Sequence, residues 1–231
     1  MAEFPTLVLV CKRPMLGFGK QRLAASLGVE MAQQVAAALL NCALEDARSW
    51  DGPVVIAPSS EADVAWATTL LPQTQFPVRV QPQVVGNLGQ RLNALDVELR
   101  HKGMETLVFI GSDAPGLAKA DYAVVRDALQ CHDTVLMPAL DGGIVLMASG
   151  CPWPSLTVLP WSSGQLGAAL AGCCRGAGQS VATLYEGFDV DELADLTRSA
   201  IIMADDLRPA RRALYQLTVH IMAMREGNEA F

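Results

Sequence analysis

Six short aliphatic runs separated by longer segments of helical periodicity set the tightest limit on how this chain folds. They are Thr6-Leu7-Val8-Leu9-Val10, Pro53-Val54-Val55-Ile56-Ala57, Val78-Arg79-Val80, Thr106-Leu107-Val108-Phe109-Ile110, Thr134-Val135-Leu136-Met137 and Ile144-Val145-Leu146-Met147. Such runs predict strands. Between them, Glu30 to Arg48 places Met31, Val35, Leu39 and Cys42 on one helical face, and Leu88 to Arg100 does the same with Leu88, Leu92, Leu95 and Leu99. Asp121 to Gln130 and Gly164 to Cys174 read as two further helices. Strands apolar on both faces, alternating with helices, predict an α/β fold: a Rossmann-like α/β/α sandwich around a mostly parallel sheet. No repeat or linker interrupts the pattern, so residues 1–231 are expected to form a single domain, with 200–231 as a C-terminal helical extension. In that extension Asp205 to Glu226 carries Leu207, Leu214, Leu217, Ile221 and Met224 near one stripe. Packing on its own domain is the expectation, and pairing in a homodimer the alternative.

Composition removes several classes of function. With 51% hydrophobic and 18% charged residues the chain is not a disordered one. A net charge of -7 argues against binding polymeric nucleic acid. Against that acidity, two of the four lysines, Lys12 and Lys20, stand with Arg13 and Arg22 in one 11-residue window. Six cysteines without Cys-x-x-Cys spacing and three scattered histidines suit neither a disulfide framework nor a zinc site. The stretch Thr6 to Cys11 is too short for a signal core, and no run of about 18 apolar residues exists, which predicts a cytoplasmic protein with no membrane span.

Ligands of open parallel sheets bind beyond the carboxyl ends of the strands. The loop after the first strand, Cys11-Lys12-Arg13-Pro14-Met15-Leu16-Gly17-Phe18-Gly19-Lys20-Gln21-Arg22-Leu23, combines glycines with cations, as a di- or triphosphate requires. It is not a Walker loop, because Pro14 replaces the first glycine and Gln21 the Ser/Thr after the lysine. The fourth strand runs into Gly111-Ser112-Asp113-Ala114-Pro115-Gly116, where Asp113 suits a hard cation; a turn aspartate is the alternative. Asp141-Gly142-Gly143 also fits a hairpin turn, and Asp189 or Asp191 a helix N-cap. Together these acidic positions and the basic loop form the set that phosphate transfer with a bridging metal needs.

The order of these pieces resembles the bacterial GT-A-like transferases known as radical-SAM/selenodomain-associated transferases, in the nucleotide-diphospho-sugar transferase superfamily. The matching pieces are Pro14-x-x-Gly17-x-x-Lys20-x-Arg22-Leu23, Gly86-Asn87-Leu88-Gly89-Gln90-Arg91-Leu92, Gly111-Ser112-Asp113-Ala114-Pro115, Pro138-Ala139-x-Asp141-Gly142-Gly143, Trp161-Ser162-Ser163 and Asp189-Val190-Asp191 before Asp195-Leu196. The chain departs from the family pattern at Gln21, Asn87, Ile144 and Val145.

The resemblance implies a GT-A fold with the nucleotide over the first half of the sheet. It implies catalytic roles for Lys20 and Asp113, and nucleotide contacts from Pro14, Gly17, Lys20, Arg22, Gly89, Arg91 and Ser112. Mg2+ or Mn2+ would sit on Asp113 and Asp191, and Asp141, Gly142, Gly143, Trp161 and Ser162 would face an acceptor of unknown identity. The expected function is therefore metal-dependent transfer from an activated donor, either glycosyl transfer from a nucleotide-sugar or nucleotidyl transfer from a nucleoside triphosphate. A catalytically inactive nucleotide- or protein-binding domain is the alternative. No Gly-x-Ser-x-Gly elbow supports a hydrolase.

Overall fold

The computed structural model describes residues 4–72 and 74–229; residues 1–3, 73 and 230–231 lie outside the described residues. The strands are β1 (Thr6–Cys11), β2 (Val54–Pro58), β3 (Val78–Val80), β4 (Leu107–Ile110), β5 (Thr134–Pro138), β6 (Ile144–Ser149) and β7 (Val181–Thr183). They form one sheet in the order β3-β2-β1-β4-β6-β5-β7. All neighbours are parallel except β6, which runs antiparallel to both β4 and β5. The mostly parallel α/β fold expected from the pattern is thus present. The reversal at β6 follows from its short connection: Asp141-Gly142-Gly143 turns the chain directly back from β5, with Gly142 at φ 84°.

The helices are α1 (Gln21–Leu27), α2 (Val29–Arg48), α3 (Val64–Ala67), α4 (Leu88–His101), α5 (Lys119–Ala128), α6 (Leu166–Gly176), α7 (Leu193–Ile202) and α8 (Pro209–Glu229). Strand alternation sends Leu7, Leu9, Ile56, Val108 and Ile110 to one face of the sheet, where they pack with Leu40 and Leu44 of α2 and Val125 of α5. Val8, Val55, Leu107 and Phe109 go to the other, against Leu92, Leu95 and Leu99 of α4 and Leu170 of α6. A third cluster joins Leu23 of α1, Val35 and Leu39 of α2, Leu196 of α7, and Leu214 and Ile221 of α8.

Four elements differ from the sequence reading, the first being α3, whose four residues are too few to show a helical face. β7 was not expected, because Val-Ala-Thr is too short to show alternation. Helix α1 was read as loop; it occupies the residues directly after Lys20. The last helix begins at Pro209, leaving Leu207 84% exposed outside it. Residue-level capping explains two starts. Asp121 accepts from the Ala118 N–H at 2.7 Å, so α5 begins two residues before Asp121 rather than at it. Asn87 and Gln90 cap α4 reciprocally, at 3.0 and 2.9 Å, and the Asn87 amide also donates to the Thr157 carbonyl at 3.1 Å, a bond that an acidic residue in the ionised form cannot make.

Helix α8 is tied down by charge as well as by apolar contact. Arg211, fully buried, donates to Asp46 at 2.7 Å, to Glu45 at 3.0 Å, and to the carbonyls of Pro115, Leu117 and Cys42. Pro115 and Leu117 belong to the loop that carries Asp113.

Candidate functional site

A cavity of about 580 Å³ opens beyond the carboxyl ends of β1 and β4. The basic loop after β1 forms one wall, the start of α4 a second, the segment Gly111-Ser112-Asp113 a third, and the β5–β6 turn with Trp161 and Ser162 a fourth. Its position is the one expected of a ligand site in an open parallel sheet.

Lys20 occupies the centre of this arrangement. It adopts a left-handed backbone conformation, φ 43°, between Gly19 at φ 75° and the first residue of α1. Its Nζ donates to Asp113 Oδ2 at 3.0 Å, to Asp191 Oδ1 at 2.7 Å and to the Val190 carbonyl at 2.6 Å. Burial opposes its charge, yet the two carboxylates more than compensate and hold its pKa above the usual lysine value. Asp113 and Asp191 are brought together by backbone as well, because the Val190 N–H donates to the Asp113 carbonyl at 2.9 Å.

Asp189 is the residue that sequence reasoning undervalued. Burial, followed by the charges of Asp113, Asp141 and Asp191, pushes its carboxyl up to about 7. The pattern Asp-Val-Asp carried the signal: Val190 is fully buried, and its two neighbours turn the opposite way, into the cavity. Neither aspartate is a helix cap. Glu192 is the N-cap of α7, and Asp195 accepts from the N–H groups of Glu192 at 2.9 Å and Asp191 at 3.1 Å.

Of the positions singled out for a nucleotide, Pro14, Lys20, Arg22, Arg91 and Ser112 line the cavity; Gly17 and Gly89 do not. Gly17 supplies a turn at φ 77°, with its carbonyl accepting from the Gln21 side chain at 3.0 Å. Gly89 serves close packing, since a side-chain carbon there would stand 2.1 Å from the Leu156 carbonyl oxygen. Arg22 is engaged at 3.3 Å with Glu192. Arg13 is turned toward Asp63, at 3.8 Å, and over the Trp66 ring. Arg91 differs from both: its Nε is buried without a hydrogen-bond partner among the described residues, and burial pulls its pKa below the usual arginine value. Gln83, which sequence reasoning passed over, also borders the cavity, with its Nε2 fixed to the Ala57 carbonyl at 2.6 Å.

On the side assigned to the acceptor, Asp141, Trp161 and Ser162 line the cavity and Gly142 does not. Asp141 accepts from the Gly143 N–H at 2.8 Å, Trp161 donates to the Leu156 carbonyl at 2.8 Å, and Gly142 packs on the backbone of Gly164. Among the described residues no three His, Cys, Asp or Glu side chains converge as a ready-made metal cage. The donors present nevertheless suit magnesium, which is commonly held by one or two carboxylates with phosphate oxygens and water completing the shell.

Residues 39–163, more than half of the chain, match the DUF2064 family, described as "Uncharacterized protein conserved in bacteria". The chain belongs to this family. The DUF2064 match spans Arg91, Asp113 and Asp141, while Lys20, Asp189 and Asp191 fall outside it. No curated protein sequence matches the chain. Among solved structures it is similar to a protein of Desulfovibrio desulfuricans G20 provisionally assigned as a nucleotide-diphospho-sugar transferase. That match has 22% identity and a TM-score of 0.79, covering 94% of this chain and 95% of the other. A 4-diphosphocytidyl-2C-methyl-D-erythritol synthase of Anaerococcus prevotii DSM 20548 matches at 9% identity and a TM-score of 0.52, over 84% of this chain and 94% of the other. A cytidylyltransferase of Leptospira borgpetersenii matches at 10% identity and a TM-score of 0.50, over 99% and 96%. At these identities the likeness establishes a shared fold for this DUF2064 member. No described helix is long and apolar enough to cross a membrane.

Proposed function

We propose that this chain is a transferase that uses a nucleotide-activated donor, either a nucleotide-sugar or a nucleoside triphosphate, together with Mg2+ or Mn2+. The observation that carries this reading is the meeting of cationic and acidic side chains in one cavity. Arg91, whose buried Nε has no hydrogen-bond partner among the described residues, and the basic loop line it; Asp113 and Asp191 share a single ammonium there, and their charges help raise the pKa of Asp189. A polyphosphate answers the first and a divalent cation the second. The folds of the nucleotide-sugar transferase and cytidylyltransferase described above agree with it.

In this reading Arg91, with Arg22 and Lys12 at the cavity wall, binds the donor phosphates. Asp113 and Asp191 hold the cation, whose chemistry is to neutralise charge on the departing phosphate. Lys20 bridges those carboxylates in the empty chain, and Ser112 offers a hydroxyl beside Asp113. Trp161, Ser162 and Asp141 bound the space left for the acceptor, and Leu166 and Ile144 make that side partly apolar.

A binding domain without turnover is the second reading, favoured by the complete engagement of the Lys20 ammonium with protein oxygens. Thermal unfolding of the full chain with nucleoside triphosphates, nucleotide-sugars and tripolyphosphate, each with and without Mg2+, tests the proposal. A ligand at a hundredfold excess over its Kd contributes about 2.7 kcal/mol. Stabilisation that needs Mg2+ and is lost in Asp113→Ala is the expected result. No stabilisation by any of them would overturn it, and metal-independent binding without turnover would favour the second reading.

A further inference from the structure

Lys20 stands where the cation proposed above would have to act. An ammonium has three N–H donors, and here three protein oxygens, from Asp113, Asp191 and the Val190 carbonyl, lie 2.6 to 3.0 Å from Nζ. The lysine is therefore saturated and has no donor left for a phosphate. The two carboxylates are in turn directed at a positive charge that is already part of the chain. Their side chains keep access to solvent, 36% for Asp113 and 44% for Asp191, while that of Lys20 is only 14% exposed. The oxygens are reachable from the cavity; the ammonium fills the space between them.

Lys20 stands outside the regular helix, at the N-cap of α1. It projects from the junction of a glycine-containing loop and α1, not from a regular turn of helix, and Gly17 and Gly19 both carry positive φ. A basic side chain that is pulled from two carboxylates needs an anion to receive it, and Lys12 and Arg91, which would draw an anion, line the same cavity.

We propose that Lys20 is a built-in competitor for the divalent cation, and that a polyphosphate ligand relieves this competition by drawing the ammonium away from Asp113 and Asp191. The inference rests on the reading of those two aspartates as cation ligands. Its consequence is coupling. A bound anion raises the affinity for metal, and by reciprocity bound metal raises the affinity for the anion by the same factor. The empty chain discriminates against free metal and takes it up with the donor.

The test is a titration of the full-length chain with Mn2+ alone, free Mn2+ being read by electron paramagnetic resonance. Wild type, Lys20→Met, Lys20→Gln and each lysine variant combined with Asp113→Asn are compared, with circular dichroism confirming the fold. Lys20→Gln can still donate to the Val190 carbonyl, so it serves if the methionine variant fails to fold. Either lysine variant is expected to bind Mn2+ about tenfold more tightly than wild type, within the usual range of coupling between sites, and Asp113→Asn to abolish that gain. Unchanged or weaker Mn2+ binding by a folded lysine variant, with Asp113→Asn still removing binding, overturns the competition and leaves the cation site standing. Mn2+ binding that is absent throughout, or indifferent to Asp113→Asn, overturns both.

Discussion

Arg211 and Asp46 meet at 2.7 Å where neither is open to solvent, their side chains being 0% and 5% exposed. Arg208 and the Tyr122 hydroxyl, each at 3.0 Å, complete the shell of Asp46. Burial raises the pKa of Asp46, and the arginines only partly offset it. Removing one partner from such a pair leaves a buried charge without compensation, so Arg211→Met is expected to cost about 3–5 kcal/mol in urea unfolding. A loss below about 1 kcal/mol would show that solvent reaches Asp46 in the variant. Because Arg211 also holds the carbonyls of Pro115 and Leu117, the variant should bind metal more weakly as well.

Asp189 gives the chain a pH dependence of definite sign. Its carboxyl titrates at about 7 in the fold, far above its usual value of 3.8. Below both values the group is neutral in folded and unfolded chain and costs nothing. As pH rises between them the unfolded chain releases its proton first, so stability is lost progressively up to neutrality and changes little above it. Asp189→Asn removes this loss. The variant should gain on wild type by about 1–2 kcal/mol between roughly pH 4 and pH 8, the shift being discounted for partial exposure. Parallel stability curves for the two proteins would refute the assignment.

Arg91 should matter for ligand and little for folding. Its guanidinium Nε has no partner to lose among the described residues and burial disfavours its charge, so Arg91→Leu is expected to leave the thermal unfolding temperature of the empty chain unchanged or to raise it. A charged hydrogen bond to phosphate is worth about 1.5–3 kcal/mol, so affinity for tripolyphosphate should fall by about ten- to a hundredfold, read by calorimetry. Equal affinity in both proteins would move the phosphate site away from α4.

Gly89→Ala probes the opposite case. The added carbon would lie 2.1 Å from the Leu156 carbonyl oxygen and 2.7 Å from Trp161 Nε1, and backbone does not yield as a flexible side chain does. Overpacking of this kind should cost about 1–3 kcal/mol and alter Trp161 fluorescence by disturbing its bond to Leu156. Unaltered fluorescence with full stability would mean that the segment from Leu156 to Trp161 moves freely.

Much of this could be read in the amino acids because strands and helices announce themselves through periodicity over several residues. The six aliphatic runs and the faces of α2 and α4 are local facts. What escaped is non-local or too short. β7 has three residues, and its place beside β5 depends on tertiary pairing. The sites of Lys20, Asp113 and Asp191 were legible as separate motifs, but nothing in their neighbours' identity says that the lysine would spend its donors on the aspartates. Asp189 looked like a capping residue because caps and ligands draw on the same short acidic side chains. Gly89 was expected at the nucleotide through the family resemblance, and what its missing side chain makes room for is the Leu156 backbone and Trp161.

Lys20 touches Asp113 across 93 residues of chain and Asp191 across 171. Closing flexible loops of such lengths costs about 4–5 kcal/mol of entropy each, more than the roughly 1.5–3 kcal/mol that a hydrogen bond to a charged group returns. The lysine node is therefore expected to assemble late, and it cannot survive in a chain that has lost either its first strand or the segment that carries Asp191. Its geometry requires β1 and β4 side by side in the sheet. Any activity of this site is in that sense a report on the completeness of folding, and truncation from the C-terminal end should silence it before the central sheet is lost.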